Sequence, residues 1–267
     1  MSYTIKRDFY YSFQSIRLAG STVVIEMIRR REIYVLIILA LIICAGFIIS
    51  NLVGVDNPST ATLLLNLGMT FAYYAAFLLT LLTAIRQIPK EMENRTIYPL
   101  LAKPIRRGEY ILGKWFAVTS IGISVFLILF TLVWILAPKT QQFNSTLLFQ
   151  TLTLLLLSLL VISALSMLIS LMFPIGVSIV LLGFLVIAGD KFVSFIHNRV
   201  LDSSFDGIVN WSLSYIPNFS NFNLITRYTD GVAPLQSLEF AGLIIYGAIL
   251  IAISIFMAIA LFIRRRL

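Results

Sequence analysis

The residues Gly108-Glu-Tyr-Ile-Leu-Gly113-Lys114 reproduce the G-x-x-x-x-G-K skeleton of a phosphate-binding loop. In such a loop backbone N–H groups cradle the phosphates, the lysine reaches the terminal ones, and a following Ser or Thr holds Mg²⁺. Here Trp115 follows the lysine, and "AKPIRR" precedes the first glycine where a buried strand is needed. Nucleotide binding is therefore not expected at this segment. His197, Asp202 and Asp206 are a second group with metal-binding side chains, but one histidine and two loop aspartates make a poor ligand set. That histidine is the only one in the chain, so no Ser–His–Asp triad can be assembled. An embedded enzyme ranks below the alternatives developed next.

The elements that must position these residues are set by composition. Of 267 residues 59% are hydrophobic and 12% charged, about half the charged fraction of a soluble chain. Six stretches are apolar and long enough to be membrane helices, near Ile33–Ser50, Ala61–Ile85, Tyr110–Ala137, Thr146–Leu171, Pro174–Gly189 and Phe240–Ile263. The expected fold is an all-α membrane protein with six transmembrane helices and no separate soluble domain. Cys44 is the only cysteine and lies within the first stretch, which excludes a disulfide framework. The first 32 residues are polar and charged, unlike a cleavable signal peptide.

Residues 146–189 carry no charge. As a single helix they would extend about 66 Å, twice the hydrocarbon core, so the chain must turn back. The turn is expected at "MFP", because proline is tolerated in the first turn of the returning helix.

Basic residues orient the chain. Lys6, Arg7, Arg17 and Arg29–Arg31, then Arg86, Lys90, Arg95, Lys103, Arg106, Arg107 and Lys114, then Arg264–Arg266, fall on one side. Only Lys139, Lys191, Arg199 and Arg227 fall on the other. The positive-inside rule makes the first side, with both termini, cytoplasmic. The net charge of +8 is then a topology signal and an attraction to anionic lipid headgroups, and no nucleic acid partner is expected. Lys114 and Trp115 read as interfacial anchors at the mouth of the third span.

The span interiors hold no Asp, Glu, His, Lys or Arg, which argues against proton or sodium coupling through buried charges. Energy is instead expected from a partner docked on the charged loop between the second and third spans. Pro89 is expected to end or kink the second span, and Thr96 to cap a short helix with Pro99 in its first turn. Ile97, Leu100 and Leu101 give that helix an apolar side, and Pro104 stops it. A short capped helix of this kind suits docking into a groove on another protein.

The order Glu91, Glu93, Thr96, Leu100-Leu101, Pro104, Arg107, Gly113-Lys114 resembles the cytoplasmic segment of ATP-binding cassette (ABC) permeases of the second exporter type. Arg95 departs from the pattern, which commonly has a small residue there. The resemblance implies a coupling helix that contacts a separate ATPase subunit through Glu91, Glu93, Thr96, Ile97, Leu100, Leu101 and Arg107. It implies an export permease that binds no cofactor itself, with ATP and Mg on two partner ATPase copies. It also implies a homodimer or a paired permease in a prokaryotic inner membrane.

Within that frame, Phe9, Phe13, Ile16, Gly20, Val23 and Met27 trace one helical face, similar to the interfacial helix that precedes the first span in this family. Residues 190–239 form a long outer segment in which Phe192, Phe195, Trp211, Tyr215, Phe219 and Phe222 are expected on partial helices at the outer interface. Asn66, Thr70, Tyr73, Phe77 and Thr80 share a face of the second span and are candidate pathway lining, or ordinary interhelical contacts. Gly176 and Gly183, one heptad apart, are candidates for a dimer seam. The spans mildly favour lipidic, glycan or other amphipathic cargo. The competing function is a non-transporting scaffold that transmits ATPase motion to another complex.

Overall fold

The computed structural model describes residues 32–52, 58–93, 107–136, 145–186 and 218–264. The described residues form helices and no strands. In chain order they are α1 (Glu32–Leu52), α2 (Pro58–Glu93), α3 (Arg107–Leu136), α4 (Ser145–Met172), α5 (Ile175–Val186), a 3₁₀ turn (Phe219–Phe222), α6 (Ile225–Thr229) and α7 (Ser237–Arg264). Among the described residues, α2, α3, α4 and α7 are long and apolar enough to cross a membrane, and α1 and α5 contribute shorter apolar stretches. In hydrocarbon a helix is the natural state of such segments, since every backbone polar group must be satisfied within the protein.

The helix α4 is the hub, packing against α2, α3 and α7. Its buried positions run from Leu147 to Leu171 around most of its circumference and include Ser158, Ser163, Ser166 and Ser170. The hydroxyls of these serines reach carbonyls three or four residues back, such as Ser166 to Ile162 at 2.7 Å, so they bury no orphan donor. By contrast, α7 touches the bundle through a narrow stripe of Gly247, Ser254, Ala258 and Phe262. Most of its large side chains, including Ile245, Ile249, Ile253 and Phe256, face outward.

Two glycines set how closely the helices approach. A Cβ on Gly122 of α3 would stand 2.1 Å from the Thr80 hydroxyl oxygen of α2, and one on Gly247 of α7 would stand 2.6 Å from Leu157 of α4. Small residues that admit a neighbouring side chain are the usual device for tight helix packing in lipid, where burial of apolar surface supplies no drive.

The turn in the uncharged run falls at Phe173–Pro174. The last α4 bond runs from Phe173 N–H to Ile169 C=O at 2.9 Å, and the first of α5 from Ser178 N–H to Pro174 C=O at 3.0 Å. The buried Ser178 hydroxyl lies 3.1 Å from the Pro174 carbonyl and 3.3 Å from that of Phe173, over the polar groups that the turn exposes. Of the two outcomes expected at Pro89, an end to the helix is ruled out. The helix α2 runs through it to Glu93. Proline removes the bond to the Ile85 carbonyl but does not end the helix, because Ile88 just before it and Glu91 beyond it are held by packing and charge against α3.

The segment 218–236 contains short helices, as expected, and packs several of their side chains into the bundle. Asn218 and Asn223 accept from the backbone N–H of Ser220 (3.0 Å) and Ile225 (3.1 Å), starting two short helical turns. Phe219, Phe222, Ile225 and Tyr228 are driven into the bundle core, with Phe222 stacked on Tyr246 of α7 at 5.9 Å. Gly231, at φ +66°, then turns the chain toward α7, in a backbone region that suits glycine.

Candidate coupling site

The end of α2 and the start of α3 flank residues 94–106, and a small cluster ties them together. Ile88, Tyr110, Ile111, Leu168, Leu171, Ala258 and Phe262, drawn from α2, α3, α4 and α7, form an apolar group apart from the main core. Within reach of it stands Lys114, whose side chain is 0% exposed. Its ammonium forms an ion pair with Oε1 of Glu91, and the Tyr110 hydroxyl donates to Oε2 of the same carboxylate. The Lys114 nitrogen also lies 5.5 Å from the centre of the Tyr110 ring, which stacks on Phe262 at 5.6 Å and 17°.

This geometry replaces the interfacial reading of Lys114 and Trp115. Lys114 is enclosed because it meets a carboxylate, the condition under which a lysine can be buried. Trp115 is buried too, and its indole N–H donates to the Ser163 hydroxyl of α4 at 3.0 Å. Residues 108–114 form two turns of α3, with the lysine amine occupied by Glu91. Sequence reasoning missed the pairing because the partners lie 23 positions apart on different helices.

Of the residues expected to meet an ATPase, Glu91 therefore turns inward. Glu93 closes α2 and Arg107 opens α3. Thr96, Ile97, Leu100 and Leu101 lie outside the described residues, as do the N-terminal face from Phe9 to Met27 and His197, Asp202 and Asp206.

The candidate pathway face is packed within the chain. Phe77 and Thr80 are wholly buried, Thr80 against Gly122. The Tyr73 hydroxyl is hydrogen-bonded to that of Ser158 on α4 at 3.0 Å. Asn66 accepts from Thr70 at 3.2 Å and donates to Thr229 of α6 at 2.9 Å. On α5, a Cβ added at Gly176 or Gly183 would meet nothing within 4 Å, so neither glycine serves packing inside the chain.

A family model described as "ABC-2 family transporter protein" matches residues 7–267. The chain belongs to the ABC-2 transporter family. It is a multi-pass membrane protein of the permease kind, a subunit that is not itself catalytic. A comparison with curated proteins finds no match.

In this ABC-2 permease a further site escaped sequence reasoning at the end of the bundle away from residues 94–106. Gln150 of α4 grips the backbone of Leu235 twice, donating from Nε2 to the carbonyl at 3.0 Å and accepting from the N–H at Oε1 at 2.9 Å. Nearby, the Tyr228 hydroxyl is buried with no hydrogen-bond partner among the described residues. Burial there pushes its phenol well above the ordinary tyrosine range. A lone glutamine within an uncharged helix is the one sequence signal that could have marked the clamp.

Proposed function

We propose that this chain is the membrane permease of an ABC exporter, driven by a separate cassette ATPase that docks on residues 94–106. The observation that carries the reading is the family match across residues 7–267. Supporting it, the docking segment is bounded by the ends of α2 and α3, the two helices best placed to carry its movement into the bundle. The distribution of basic residues supports six crossings with both termini and residues 94–106 in the cytoplasm of a prokaryotic cell. Two permease copies, or one with a paired permease, would form the pathway, with ATP and Mg held by two ATPase copies. The surface that α2 offers to a second copy is its exposed stripe of Leu63, Leu67, Phe71 and Leu78, since Asn66, Tyr73, Phe77 and Thr80 are engaged within the chain. With Gly176 and Gly183 left open on α5, this apolar surface suits amphipathic cargo better than small ions.

The test is Leu100→Ser with Leu101→Ser. Burying an aliphatic side chain at a docking site contributes about 1.5–3 kcal/mol before ordering costs. The double variant should insert normally yet lose the ATPase on co-purification. An ATPase retained at unaltered stoichiometry with full transport would overturn the docking assignment.

A further inference from the structure

We infer that the buried Glu91–Lys114 ion pair is the joint that makes α2 and α3 move as one body when the ATPase displaces residues 94–106. It deepens the docking reading and rests on it. Glu91 lies in the last turn of α2, and Tyr110 and Lys114 in the first two turns of α3, so one carboxylate ties together the two helices between which residues 94–106 run in sequence. Both carboxylate oxygens are engaged, one by the ammonium and one by the phenol. Tyr110 carries the contact on to Phe262 of α7, and Leu168 and Leu171 of α4 complete the same cluster. Displacement at this point therefore reaches four helices.

The chemistry explains why charge is used where apolar packing would also hold. Between apolar helices in lipid, a small slide exchanges one set of aliphatic contacts for another at little cost. An enclosed ammonium and carboxylate cannot slide without exposing two unpaired charges to a low-dielectric interior, so they fix register. Glu91 and Lys114 are positioning residues.

The experiment uses the assembled complex in a Cys44→Ser background, with spin labels at Ile135→Cys on α3 and Leu238→Cys on α7, both exposed. The distance between labels is compared without nucleotide and with ATP plus vanadate. A chain carrying Glu91→Leu with Lys114→Met keeps the site filled with apolar side chains and removes both charges of the pair. It should retain its ATPase but lose the nucleotide-dependent distance change, and Glu91→Lys with Lys114→Glu should restore the change. A full change in the apolar double variant, no restoration in the swapped one, or no change in the unaltered chain overturns the joint while leaving docking intact. An apolar double variant that fails to insert or to hold the ATPase also overturns it, since the pair would then serve folding alone. Failure of the unaltered chain to hold an ATPase sinks the docking reading itself.

Discussion

The two ends of the helix bundle are fastened by opposite chemistry. At the end that carries residues 94–106, a full positive and a full negative charge are enclosed together, Lys114 on Glu91. At the other end the ties are neutral: Gln150 on the Leu235 backbone and Asn66 on Thr229. A neutral hydrogen bond contributes about 0.5–1.5 kcal/mol net and can be remade by water or a neighbouring group. A broken buried ion pair leaves a charge with no solvent, which costs several times more. The fastening is thus stiff next to residues 94–106 and yielding at the far end.

The largest expected effect comes from breaking the stiff end. Lys114→Met alone leaves Glu91 beside an apolar cluster, and removing one partner of a buried pair costs about 3–5 kcal/mol. The loss should fall near the lower limit, because Glu91 keeps 15% of its side-chain surface exposed. Thermal unfolding of the detergent-purified permease should show it. A melting temperature unchanged from the unaltered chain would show that the pair holds nothing together.

A smaller loss is expected at the yielding end. Gln150→Ala leaves both the N–H and the carbonyl of Leu235 without their partner, a cost of about 1–3 kcal/mol if water does not replace it. Protease sensitivity within residues 230–236 should rise before global unfolding does. If cleavage there is unaltered, Gln150 is not what holds the loop down.

The smallest effect should have the opposite sign. Tyr228→Phe removes a buried hydroxyl that has no partner among the described residues, so the permease should gain up to about 1 kcal/mol. The gain should widen at high pH. A phenol whose ionisation is raised by burial contributes its full stability below the ordinary tyrosine value and loses it as pH climbs toward the raised one. A destabilised Tyr228→Phe chain would mean that the hydroxyl has a partner in the working protein.

The amino-acid sequence by itself determined the class of molecule. Long uncharged runs admit only helices in hydrocarbon, and a helix lies within each of the apolar stretches read from composition, four of them long enough to cross a membrane, with the turn in residues 146–189 at Pro174. Clustered basic residues and the Glu91-to-Lys114 pattern carried the family resemblance that the match over residues 7–267 established. Which face of each helix turns inward was decided only by tertiary structure. In a soluble protein the apolar stripe marks the core, but lipid is as apolar as leucine, so α4 and α7 read alike although α4 is buried around most of its circumference and α7 only along a narrow stripe. The same indifference concealed Thr80 against Gly122 and Ser158 on Tyr73. It also made Lys114 read as an interfacial anchor, because a lysine near the end of a span snorkels to water unless a carboxylate from another helix meets it first. Glu91 does so here, and no local pattern along the chain records that two helices bring them together.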